Sequence, residues 1–369
     1  MNAPLSLTLE LEDAIASSDV RRRAVMLKRV ADLFVGSGSL ATQQMSLFDD
    51  VMNRLLAEVE SSARVQLSEY LAGCPVAPHK TIRRLALDDL IEVARPVLTR
   101  SERIDQRTLE EGAAAKSQAH LLAISARKNV PEPVTDLLIE RGDRDVVLCI
   151  ARNTGARFSV FGFSSLVQRS SGDEELTVAT WIRSDVPRRH LLKLFADASS
   201  TVRDRLSKEE PTKTKAIAEL VTRAMDHLQS KTRHLSSEFL TASALVSLLE
   251  EAGRLNEETL HEFAKSKRFS ETVLSFSAIC DVPAGVIERA LIDERSEQIL
   301  VLAKAAACSW DTTKALLVLQ STSDERSEDL ERLFETFLRM RPQTARKAVQ
   351  FYRLRERALV PLEPSYRQA

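Results

Sequence analysis

Ala123-Ile-Ser-Ala-Arg-Lys-Asn-Val-Pro-Glu-Pro-Val-Thr-Asp-Leu-Leu-Ile-Glu-Arg-Gly-Asp-Arg-Asp-Val-Val-Leu-Cys-Ile150 is the stretch whose pattern decides the fold. Pro131 suits a first helical position, where its missing N–H would have no partner. Leu138 follows seven residues later and Val146 fifteen residues later, with a polar corner between. Two further stretches repeat the arrangement: Ala179 to Leu206 around Val186-Pro187, and Ser275 to Leu302 around Val282-Pro283. Leu194 and Ala290 hold the first matching position and Val202 the second. A weaker copy starts at Ala77-Pro78, with Leu85 and Val93 at the same offsets. The unit is therefore a proline, a helix of about ten residues, a polar corner and a second helix: a helical hairpin.

Working outward, Arg103-Ile104-Asp105 with Thr108, Leu109 and Glu111 returns as Arg254-Leu255-Asn256 with Thr259, Leu260 and Glu262, 151 residues on. This reads as an internal duplication. The prolines at 78, 131 and 187 are 53 and 56 residues apart, room for two hairpins per period. The period is lost after Pro187, and Ser207 to Lys215 reads as a linker. The expected division is an N-terminal lobe over 1–210 and a C-terminal lobe over 211–369 that partly duplicates it. Other segments also read as amphipathic helices. Val20, Ala24, Leu27, Ala31 and Phe34 form one stripe. Ser46-x-x-Asp49 and Ser171-x-x-Glu174 resemble capping boxes, and Asn256 precedes a third start. Leu5 to Leu9 alternates like a strand, and Phe158 to Phe163 is read as helical.

Composition agrees with an all-α chain. Of 369 residues, 44% are hydrophobic, which excludes a disordered chain; only 5% are aromatic and ten are glycine, which argues against an all-β protein. Helices this short are marginal alone, so side-by-side stacking must bury their apolar faces. The expected architecture is an α-solenoid of short hairpins in two lobes. The net charge of −1 excludes a global preference for nucleic acid or anionic lipid and leaves a local patch open. Met1-Asn2-Ala3-Pro4 does not read as a secretory leader, and no window approaches the ~20 apolar residues of a membrane span. Cys74, Cys149, Cys280 and Cys308 form no C-x-x-C pair and read as small hydrophobes. A cytoplasmic location is the expectation.

Ser18-Asp19-Val20-Arg21, Ser62-Ala63-Arg64-Val65 and Ser200-Thr201-Val202-Arg203 resemble the start of the second helix in HEAT repeats. Asp88, Asp197 and Asp293 each lie ten residues after a repeat proline, where HEAT-like units often keep a corner aspartate; Arg141 stands there in the fourth copy. With Arg183-x-Asp-Val-Pro187, the pattern is similar to a family of uncharacterised HEAT-like bacterial proteins, mainly alphaproteobacterial, over roughly residues 60 to 310. The resemblance implies a helical-repeat fold and no activity.

Candidate binding residues follow from charge. Asp88, Asp197 and Asp293 can hold a cation or basic partner, or simply brace the second helix of each hairpin. Arg21-Arg22-Arg23 is a basic cluster opening the first long helix and a candidate partner contact; the run from Arg339 to Arg357, with Arg346, Lys347 and Arg353 around Phe351 and Tyr352, can meet phosphates or lie solvated. Arg188, Arg189 and His190 read as a solvated first turn. Gly36-Ser-Gly-Ser-Leu-Ala41 matches a dinucleotide loop in letters but follows a helix, so it is a connecting loop. The six histidines form no metal-ligand spacing, and no catalytic residue or cofactor is assigned. The leading expectation is a non-enzymatic scaffold that binds a protein or peptide on a concave surface. The alternatives are a nucleic-acid-binding HEAT-like protein using basic helices, and an enzyme with an unrecognised site.

Overall fold

The computed structural model describes residues 19–37, 41–209, 236–293, 295–320 and 327–359, with single positions at 220, 221, 224, 229, 232 and 233. These residues form twenty helices and no strand. The strand-like Leu5–Leu9 and most of the linker read at 207–215 lie outside them; residues 207–209 are helical.

The chain divides into two compact units: Met1–Arg169 with Val178–Arg183, and Ser170–Thr177 with Ser184–Ala369. The helices of the first half are α1 (Val20–Gly36), α2 (Thr42–Leu56), α3 (Ser61–Leu71), α4 (His79–Ala86), α5 (Ile91–Arg100), α6 (Gln106–Ala115), α7 (Gln118–Ser125), α8 (Glu132–Arg141), α9 (Arg144–Arg152), α10 (Val160–Ser170) and α11 (Glu174–Ile182). Those that follow are α12 (Arg188–Glu209), α13 (Ser237–Glu251), α14 (Glu257–Lys265), α15 (Phe269–Cys280), α16 (Ala284–Ile292), α17 (Ser296–Ala305), α18 (Trp310–Gln320), α19 (Ser327–Arg339) and α20 (Pro342–Leu359).

The hairpin period is visible in helix starts. α4, α6, α8 and α10 begin at 79, 106, 132 and 160, steps of 27, 26 and 28. α14, α16 and α18 begin at 257, 284 and 310, steps of 27 and 26. Both duplicated starts carry the same cap: Asp105 Oδ1 accepts the Thr108 N–H at 2.8 Å and Asn256 Oδ1 the Thr259 N–H at 3.0 Å. In the first unit every helix from α1 to α7 packs on the helix two places later as well as on a sequence neighbour. Leu71, Ile82, Val93, Val97, Leu121, Val134, Leu138 and Ile150 fill the resulting interior and are fully buried. Each such side chain contributes about 1.5–3 kcal/mol by leaving water. The second unit is wired differently: α14 packs on α15 and on α18, and α17 packs on α18, α19 and α20.

Arginines seal helix ends across this packing. Arg127 donates to the carbonyls of Leu98 and Ser101 at the end of α5, the latter at 2.8 Å. Arg183 donates to Ala151, Asn153 and Ala156 at 3.1, 2.6 and 2.8 Å, at and beyond the end of α9. A cation there satisfies orphan carbonyls and meets the negative end of the helix dipole.

Four expectations change. The hairpin corner at Asp197 is absent: α12 runs unbroken for 22 residues. Ala196 and Ala198 flank that aspartate, and alanine is the best helix former, so nothing there stops the helix. The α8–α9 corner differs because it holds Gly142, where a Cβ would come within 2.3 Å of the Leu138 carbonyl. The helix expected from Ser46 begins at Thr42, with Gln44 Oε1 accepting the Ala41 N–H. α11 is capped by Asp173 rather than Ser171, through the Leu176 N–H at 3.1 Å. Within Phe158 to Phe163, only Val160 onward is helical; Phe158 lies before α10, against Phe163 and under the Arg183 guanidinium.

Candidate partner-binding sites

A concavity in the first unit lies between α1 and α3 and encloses about 620 Å³. α1 presents Ala24, Leu27, Lys28, Ala31 and Asp32 to it, positions one helical face apart. α3 presents Ala63, Gln66, Leu67, Glu69 and Tyr70. Three alanines leave the space, Leu27 and Leu67 floor it, and Lys28, Gln66, Asp32 and Glu69 stand at its rim. The Tyr70 hydroxyl donates to Asp32; desolvation first, and that carboxylate second, hold the phenol above its ordinary pKa. Glu69 is paired with Arg100 at 2.6 Å. The cavity suits apolar side chains with a polar border and offers no activated nucleophile.

The residues singled out by sequence are mostly dispersed. Arg21 and Arg22 are exposed on α1, while Arg23 turns to Glu58 at 3.1 Å. Asp88 pairs with Arg64 at 3.2 Å and accepts the Leu90 N–H at 3.0 Å just ahead of α5, a bracing role. Asp197 sits inside α12. Asp293 follows α16, 4.0 Å from Arg295. Arg346 and Lys347 are exposed on α20. Arg353 docks inward, donating to the Cys280 carbonyl at 2.6 Å and pairing with Asp281 at 3.2 Å. Arg346 and Arg353 are brought together, lining a cavity of about 260 Å³ with Cys280, Ala305, Ala306 and Gln350. That cavity lies where α15 and α17 end; Arg353 meets the Cys280 carbonyl there, while Arg346 is exposed at its edge.

The solvated turn read at Arg188 to His190 is a correction. Arg188 is 2% exposed and His190 7%. Glu288 takes Arg188 Nε at 2.6 Å and Arg233 Nη2 at 2.9 Å, with side-chain exposures of 1% for Glu288 and 20% for Arg233. Arg188 also donates to the Gln229 carbonyl and lies over the Phe239 ring. Glu238 accepts the Arg188 N–H and the Ser270 hydroxyl. Gly285 makes room: a Cβ there would stand 2.5 Å from Arg233 Nη2. The available signal was an acid inside the apolar run Val286-Ile-Glu-Arg-Ala-Leu-Ile292. Cys280 and Cys308 are buried, which pushes both thiols up, Cys308 to about 12. Among the described residues no group of His, Cys, Asp and Glu is placed to hold a metal ion. Nor is any described helix long and apolar enough to cross a membrane.

A family model described as an uncharacterised protein conserved in bacteria (DUF2336) matches residues 93–350. The chain belongs to that family. No curated protein matches the chain, and no solved structure does.

Proposed function

We propose that the chain is a non-enzymatic α-solenoid of HEAT-like repeats that binds a protein or peptide partner along its concave surface, in a regulatory or signalling role. The observation that carries this reading is the open groove between α1 and α3, apolar in its floor and polar at its rim. Such a border orients a partner segment while the floor takes its apolar side chains. Support also comes from the 26- to 28-residue hairpin spacing of the first unit, the regularity that a stack of hairpins requires. The test fills the groove. Ala24→Trp and Ala63→Trp variants, both at half-buried positions of the groove, and the unaltered protein are used as bait in lysate of the native bacterium, with quantitative mass spectrometry. A partner recovered by the unaltered protein and lost from both variants supports the proposal. Identical recovery by all three removes the groove from it.

A further inference from the structure

The geometry points to the solvent face of α20 as a docking surface for single-stranded nucleic acid. The structure sorts the C-terminal basic run into two parts. Ala345 and Val349 are buried, α20 packs on α17, and Arg353 is spent on the end of α15. Arg346 and Lys347 instead face water, as do Gln343, Gln350 and Phe351. Phe351 is 67% exposed. Positions four apart share a helix face, so Gln343, Lys347 and Phe351 form one column and Arg346 and Gln350 the next. Arg341 precedes the helix and is exposed; Arg339, at the end of α19, pairs with the exposed Glu335. No acidic residue occurs from Thr336 to Arg355. Cations in neighbouring columns, an exposed aromatic one turn beyond Lys347, and a stretch free of acids from 336 to 355 complement a chain carrying one negative charge and one base per residue. A bilayer is the poorer fit: one phenylalanine gives that face little apolar area to insert, whereas one aromatic ring is enough to stack a base. The near-zero net charge of the whole chain makes the surface local, so short strands suffice.

The experiment measures fluorescence anisotropy of a labelled oligo(dT) of about 20 nucleotides with the full chain, at salt from about 50 to 200 mM. The expected result is binding whose log affinity falls linearly with log salt, with a slope near −0.7 per phosphate neutralised. Arg346→Glu with Lys347→Glu should weaken it at least about tenfold and flatten the slope by about 1.4. Phe351→Ala should weaken it about 5- to 150-fold and leave the slope unchanged. The control, Arg95→Glu with Arg107→Glu, changes charge equally on exposed positions of the first unit. Circular dichroism checks the fold, and Gln replaces Glu at 346 and 347 if the reversal unfolds the chain. No binding by the unaltered protein, equal loss in the control, or no loss in the α20 variants overturns the proposal. So does equal competition by poly-L-glutamate, or binding to phosphatidylserine vesicles in place of the oligonucleotide.

Discussion

Asp49 on α2 caps a helix it does not belong to: its carboxylate accepts the Thr81 N–H at 2.8 Å and the Thr81 hydroxyl at 2.7 Å, and the Lys80 N–H at 2.8 Å. α4 begins after Pro78, which has no side chain able to accept these bonds. Asp49 is 6% exposed, so the negative charge is buried against the positive end of the α4 dipole. Asp49→Ala should destabilise the protein by about 2–3 kcal/mol, as orphaned buried N–H groups add to the lost cap. Asp49→Asn should cost less. Denaturant unfolding followed by circular dichroism decides it, and equal losses for both variants would argue against a charge-assisted cap.

The cluster of Arg188, Glu288 and Arg233 predicts an asymmetric response. Glu288→Ala leaves two guanidiniums without their carboxylate, one of them fully buried, and should cost about 3–5 kcal/mol. Gly285→Ala should also destabilise, because its Cβ would displace the Arg233 guanidinium. Replacing Arg188, Arg233 and Glu288 together by apolar residues of similar volume should restore much of the loss. Thermal denaturation of the three variants is the measurement.

His190 sets an acid limit. Burial chiefly, with Arg189 and Lys193 nearby, lowers its pKa from 6.5 to about 4. The folded state binds this proton less readily than the unfolded chain, so this group's penalty grows as pH falls from about 6.5 to 4 and then levels off. The full span is worth about 3 kcal/mol. Stability measured between pH 7 and 4 should show a loss that His190→Gln reduces; identical pH profiles would exclude the histidine as its source.

Continuity of α12 has its own test. Ala196→Gly lies in an exposed helix interior and should cost about 1 kcal/mol. Glycine would be harmless at a corner. Gly142→Ala should cost more, because the α8–α9 corner has no space for a Cβ.

Much of the helix pattern was readable because its determinants are local. Pro78, Pro131 and Pro283 each precede a helix, and Asn256 caps the start it was expected to mark, as Asp105 does at the duplicated position. Pro187 also precedes a helix, but the corner after it depends on Ala196 and Ala198, whose propensity outweighs the repeat register. Asp49 looked like part of a local capping box because its true partners are 31 and 32 residues away. Arg188 and Glu288 are 100 residues apart, beyond any periodicity, so the buried Arg188 read as part of a wet turn. The α1–α3 groove was invisible for the same reason: it depends on alanines from two helices that meet only after packing.

The wiring of the two units also has a kinetic consequence. In the first, contacts link helices one or two places apart, so closing each loop is inexpensive and opening can proceed piecemeal from an end. In the second, Glu257 at the head of α14 accepts the Ser309 N–H at 2.6 Å and the Thr312 hydroxyl at 2.8 Å, joining chain positions 52 and 55 residues apart. That longer closure must be made before α18 is secured, which makes the C-terminal half the slower to assemble and the more all-or-none in hydrogen exchange.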